Sequence, residues 1–224
     1  MNCVPVGFSD SLSNASVMRS LVNEKDVVVW RSSSGKLSAW ENRCPHRGMR
    51  LSHGFVRGES LACMYHGWHY GVDGKCKYIP AHPDLEPPET IRIQRYLSFE
   101  KNGIIWVSNA DNAQVSKFAD EPIPVRSLCI NCPANVVISA IAGFKSPLPE
   151  GGQLIFHLAD EQQDFTRIDL PKLKVALYLI FQDLPSSKCF MHVLAEGKCK
   201  TRDKKTISRS LEHLRRTAEK QFGE

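Results

Sequence analysis

Two short segments, each carrying one thiol and one imidazole, constrain this chain more than any other feature of its 224 residues: Cys44-Pro45-His46-Arg47-Gly48 and Cys63-Met64-Tyr65-His66-Gly67-Trp68. Sixteen residues, Arg47 to Ala62, separate the first His from the second Cys. In both segments the His is followed closely by Gly, the residue that lets backbone N–H groups approach sulfur. Two Cys plus two His fit either tetrahedral zinc or an iron–sulfur centre in which two histidines replace two cysteines on one iron. Their order separates the two. A zinc finger groups its cysteines in one half and its histidines in the other, whereas here each half holds one of each.

The remaining cysteines direct attention to metal ligation instead of bridges. Eight in 224 residues are too dilute for a disulfide-stapled scaffold. The N-terminal MNCVPVGFSD lacks the basic patch and apolar core of an export signal, so a reducing, cytoplasmic setting is expected. No membrane span is expected either, since the longest apolar run, Val175 to Phe181, is far below the roughly 20 residues a bilayer demands.

Around the motif the first hundred residues read as short strands separated by turns: 26–31, 36–40, 54–56, 60–63, 91–94 and 103–107. Ser34-Gly35 and Asp73-Gly74 are the dipeptides expected to close hairpins, and Pro80, Pro83, Pro87 and Pro88 make 79–89 a loop. The fold class is mainly β with some α. The expected division is an antiparallel β domain at 1–110, a linker region at 111–152, and a short α+β region at 153–224. In that last region 173–181 and 189–194 read as strands. Residues 208–222 read as a helix with Leu211, Leu214, Ala218 and Phe222 on one face.

CPHRG followed by CMYHGW resembles the Rieske domain of the Rieske non-haem iron oxygenases, the ring-hydroxylating and demethylating enzymes. The likeness covers about residues 20 to 110, including Val27 to Arg31, Gly35, Trp40-Glu41-Asn42-Arg43, and Tyr70-Gly71 with Asp73-Gly74. It implies a [2Fe–2S] cluster with Cys44 and Cys63 on one iron and His46 and His66 on the other. It also implies an oxidoreductase whose cluster takes single electrons from an NAD(P)H-dependent reductase or a ferredoxin. These would pass to a mononuclear Fe(II) that activates O2. A non-catalytic, Rieske ferredoxin-like carrier is the alternative. Met49 and Tyr65 stand where respiratory Rieske proteins place a disulfide, and Trp68 stands where they place a Ser that donates to a cluster sulfur, although Tyr70 retains a hydroxyl. A potential toward the low end of the Rieske range is therefore expected.

The oxygenases hold their mononuclear iron with D-x-x-H, a second His and a late carboxylate, in a C-terminal helix-grip domain. This chain does not contain that pattern, so its catalytic residues are unknown from sequence. The mononuclear iron is expected in an oxygenase partner subunit or at an unrecognised site, and a homo-oligomer is the alternative assembly. Residues 175–197 and the final helix resemble the closing part of a helix-grip domain, shortened. His157, Asp160 and His192 are not assigned as a substitute triad, nor His53 and His69 as ligands. Cys76 reads as a free thiol, and Cys129-Ile130-Asn131-Cys132 finds no second pair at ligand spacing.

The net charge of +5 belongs to the tail: residues 186–224 hold ten Lys or Arg against five Asp or Glu, Lys198, Lys200, Arg202, Lys204 and Lys205 among them. A solvated docking face is expected there, with no nucleic acid, because the aromatic residues needed to stack on bases are missing.

Overall fold

The computed structural model describes residues 3–118, 120–197 and 199–223, so Lys198 lies outside the described residues. The architecture is mainly β, with two α-helices among the described residues. Among the described residues no helix is long and apolar enough to cross a membrane. The chain divides into two compact units, residues 2–100 with 104–114, and residues 101–103 with 115–224.

The first unit contains β1 (Val4–Phe8), β2 (Ser16–Val22), β3 (Lys25–Arg31), β4 (Leu37–Glu41), β5 (Phe55–Arg57), β6 (Ser60–Ala62), β7 (His69–Gly71), β8 (Cys76–Tyr78), β9 (Arg95–Lys101) and β10 (Ile104–Ser108). Six form a sheet in the order β1-β10-β9-β4-β3-β2, and four form a smaller sheet, β5-β6-β7-β8. Both expected hairpin turns are present. Gly35 joins β3 to β4 at φ 92° and Gly74 joins β7 to β8 at φ 78°, backbone conformations that side chains disfavour.

Strand β3 matches the strand expected at 26–31 and divides its residues between two interiors. Its apolar run is buried on both faces: Val27 and Val29 enter a cluster with Val4, Val6, Ile105 and Val107, while Val28 and Trp30 enter another with Trp40, Leu51, Leu61 and Tyr70. The period of two survives, but it sorts residues between two interiors instead of interior and water. The second interior is the one that receives Cys44 and Cys63. Fully burying each such aliphatic side chain contributes roughly 1.5–3 kcal/mol, so the cysteines sit against a rigid apolar bed.

Residues 91–94, expected as a strand, make only an isolated bridge, Lys75 with Arg92, and β9 begins at Arg95. The segment does pair its backbone, Cys76 N–H to Ile91 and Ile93 N–H to Gly74, but over too few residues to form a ladder.

The second unit contains β11 (Ile123–Ile130), α1 (Ala134–Ile141), β12 (Lys145–Pro147), β13 (Gln153–Ile155), β14 (His157–Glu161), β15 (Thr166–Leu170), β16 (Val175–Leu184), β17 (Lys188–Ala195) and α2 (Thr201–Gly223). Its main sheet runs β11-β17-β16-β15-β14. Residues 111–152, read from sequence as a linker region, hold β11, α1 and β12. The two prolines of 122–124 look like linker punctuation, yet β11 pairs along β17 from Ile123↔Ala195 to Ile130↔Cys189, with an irregularity beside Pro124 that accommodates the missing donor.

Alternate residues of the sheet, including Leu177, Leu179, Met191 and Val193, meet Ile207, Leu211, Leu214 and Ala218 of α2 and Val137 and Ile141 of α1. Helix α2 starts seven residues before the expected Ser208, because its first turns are almost wholly polar and carry no apolar period until Ile207. Phe222, expected on the buried stripe, is 46% exposed. The stripe is spaced four, three and four residues from Ile207 to Ala218 and ends there.

Candidate metal centre

The two motif segments adopt the same backbone arrangement. In the first, Cys44 N–H donates to the Met49 carbonyl and Gly48 N–H to the Cys44 carbonyl, both at 2.8 Å; in the second, Cys63 N–H donates to Trp68 at 2.9 Å and Gly67 N–H to Cys63 at 3.0 Å. Each loop therefore closes on itself through the residue four and the residue five past its cysteine. The closure needs a left-handed residue, and Gly48 and Gly67 supply it at φ 71° and 67°. Gly67 is further fixed by the proline loop: a Cβ there would lie 3.0 Å from Cγ of Pro80.

These loops bring Cys44, His46, Cys63 and His66 together. The cysteines are buried, 3% and 2% exposed, with their side chains within hydrogen-bond reach of each other. The imidazoles stand toward solvent, His46 half-buried and His66 exposed, ring centroids 4.6 Å apart. Trp68 stacks on His46 at 4.3 Å with the planes 6° apart, and Tyr65 covers His66 at 3.9 Å. Burial, with the nearby charges of His66 and Arg47, holds the His46 imidazole below its ordinary pKa, a shift toward the neutral form that a metal requires.

Burial pushes the Cys63 thiol up, while backbone N–H groups of Tyr65 and His66 directed at its sulfur act in the opposite sense. Those donors would stabilise a bound thiolate. Tyr70, fully buried on β7, places its hydroxyl 3.1 Å from Cys44 Sγ. Burial first, and then the contact with Cys44, raises its pKa, so it remains an O–H donor. Two facing thiols inside, two imidazoles outside and donors already aimed at sulfur form a set that can hold a [2Fe–2S] cluster with two protein ligands per iron.

The first loop is tied to the sheet by a polar knot. Asp26 accepts from Arg19 Nε at 2.7 Å, Asn42 Nδ2 at 2.9 Å and Arg50 Nε at 3.0 Å, and buried Asn42 also accepts from the Ser52 N–H at 2.7 Å. Burial would raise the Asp26 pKa, but these bonds outweigh it and leave the carboxyl below its ordinary value. Neither this knot nor the Trp68 and Pro80 contacts is visible in the sequence, since each joins residues whose proximity depends on the completed fold.

Other residues weighed from sequence lie elsewhere. His53 is exposed, and His69 packs edge-on against Tyr78. Cys76 is buried opposite Tyr70 in the β7–β8 ladder. In the second unit, His157 and Asp160 are exposed on the outer strand β14 while His192 is buried on β17, with β15 and β16 between. Three strand spacings of about 4.8 Å keep them roughly 14 Å apart, too far to share an ion. His192 Nδ1 instead meets Ser127 Oγ at 2.8 Å, and burial lowers its pKa to about 4. Cys129 is exposed, Cys132 and Cys189 are buried, and burial pushes the Cys189 thiol up to about 12. Among the described residues no three His, Cys, Asp or Glu side chains gather closely enough to hold a single metal ion.

Comparison with known proteins gives the same picture. Residues 2–94 match the family model of the Rieske [2Fe-2S] domain. The chain is 30% identical over 232 residues to oxidoreductase NdmD of Pseudomonas putida, across 96% of this chain and 39% of that protein. It is 41% identical over 93 residues to 4beta-methylsterol monooxygenase of Methylococcus capsulatus, across 40% of this chain and 25% of that protein. The chain thus spans well under half the length of these relatives. Among solved structures, Pseudomonas putida CBB5 NdmA superposes with a TM-score of 0.76 at 17% identity, covering 97% of this chain and 80% of that one, a likeness of fold.

Proposed function

From the premise that residues 2–94 are a Rieske [2Fe–2S] domain resembling those of the Rieske non-haem iron oxygenases, we propose that this chain carries single electrons within an oxygenase system. Buried Cys44 and Cys63 would hold one iron of the cluster, and the more exposed His46 and His66 the other. The bound cluster supplies a one-electron couple. The chain's own residues give that couple a direction: the apolar bed around the cysteines excludes water from one side, and the half-buried His46 and exposed His66 open the other to a partner.

The donor is an NAD(P)H-dependent reductase or ferredoxin, and the acceptor a mononuclear iron in another chain or another part of a longer protein. The observation carrying this reading is the buried thiol pair backing onto a solvent-facing imidazole pair. The second unit is proposed as a scaffold and not an oxygen-activating site, because its interior is filled by apolar side chains. Similarity across nearly the whole chain to a protein named as an oxidoreductase supports a redox role.

Iron and acid-labile sulfide counts on the purified chain test the proposal, together with the electron paramagnetic resonance spectrum after dithionite reduction. Two irons and two sulfides with a reducible, rhombic signal are expected. Zinc without sulfide would overturn the cluster assignment. A third iron with O2-dependent turnover would overturn the carrier reading.

A further inference from the structure

The cations of α2 fall into two populations. In its C-terminal half Arg215 pairs with Glu212 and Glu219, and Arg216 with Glu212, so the charges are neutralised by acids on the same helix. Toward its start the pattern reverses. Lys200, Lys205 and Arg209, with Lys172 from the β15–β16 turn, line one concavity of about 680 Å³, and their side chains make no ion pair among the described residues. The lining includes two carboxylates, Glu150 and Asp203, and Arg202 already holds Glu150. Four cations therefore face one uncommitted acid. Leu148, Pro149 and Leu173 add an apolar part to the same wall.

We propose that this concavity docks an acidic segment of a partner protein. Unpaired like charges gathered in a hollow repel one another, and an incoming row of carboxylates relieves that repulsion while its own field is focused by the hollow. The spacing selects the class of ligand. Arg202 to Arg209 covers about 10 Å of helix at 1.5 Å per residue, and Lys172 stands across from them, with its Nζ 3.5 Å from where a Cβ on Gly152 would be. Such a spread suits several carboxylates along a chain better than one phosphate. The apolar part receives the side chains between them, and the absence of aromatic residues from the lining gives bases nothing to stack on. The inference does not depend on the cluster.

A fluorescein-labelled decaglutamate peptide, titrated against the full chain and followed by anisotropy, is the test. Binding should weaken at least tenfold between 20 and 200 mM salt. It should also weaken at least tenfold in Lys205→Glu/Arg209→Glu, but less than twofold in Lys145→Glu/Lys188→Glu, which alters net charge equally outside the concavity. Should either double variant misfold, a decaglutamine peptide separates charge recognition from general adhesion: no binding to the unaltered chain supports the proposal, and equal binding overturns it. Equal losses in the two double variants would overturn the proposal, as would displacement of the peptide by millimolar inorganic phosphate. Tighter binding of a short DNA duplex at the same salt would also overturn it.

Discussion

The two units use their interiors in opposite ways. Inside the first, three thiols and a phenol lie among tryptophans and aliphatic side chains, and the Cys44 thiol and Tyr70 hydroxyl meet at hydrogen-bonding distance. Inside the second, a sheet and two helices close over an almost wholly apolar cluster. A polar interior is costly unless each group has a partner. The first unit thus keeps reactive groups inside it, while the second uses its interior mainly for packing.

Replacing His66 by Ala gives the largest contrast. It removes one exposed residue of the proposed ligand set without touching a core, so iron per chain should fall from two to near zero while the chain keeps its circular dichroism spectrum. A retained cluster signal would break the assignment of that side to His66. Leu211→Ala does the converse. It opens a cavity in the second interior and should cost about 2–5 kcal/mol in denaturant unfolding, with the visible absorption of the cluster unchanged. A bleached cluster would show that the two interiors are not independent.

Acidification separates them again. Unfolded His192 takes a proton below about pH 6.5, whereas the folded imidazole resists until about 4. The unfolded state thus binds more protons in that window, and stability present above pH 6.5 is lost as pH falls, by up to about 3 kcal/mol. Calorimetry from pH 7 to 4.5 should show the loss, and His192→Asn should flatten it. The smallest effect belongs to Tyr70→Phe. Deleting one hydrogen bond to a cluster sulfur, worth about 1 kcal/mol, should lower the midpoint potential by about 40 mV for a one-electron couple. A shift upward would mean that the hydroxyl does not donate to Cys44.

What was legible in the sequence follows the same division. The proposed ligand set lies in two contiguous segments, so Cys44, His46, Cys63 and His66 stand out before any fold is known. Strands β3, β4, β6 and β10 were also readable, because each is dense in apolar residues beside a Gly turn. Strands β1 and β2 were not. Their residues, such as Val4 and Val22, acquire meaning only when a distant β10 or an adjacent β3 covers them. In the second unit α1 and β11 were hidden by the prolines around them. The start of α2 was hidden because helical propensity alone, without an apolar stripe, leaves no period to detect. Trp68 against His46, Pro80 against Gly67 and the Asp26 knot are long-range contacts that no local pattern encodes.

The matched closure of the two loops bears on how fast an electron can cross them. Because each cysteine loop is cinched by its own pair of backbone hydrogen bonds, and the Tyr65 and His66 amides already point at Cys63, a change of charge finds its dipoles in place. Little of the protein has to rearrange in response. For a bound cluster this arrangement predicts a low reorganisation energy, with the barrier to electron transfer set by the distance to the partner and the driving force.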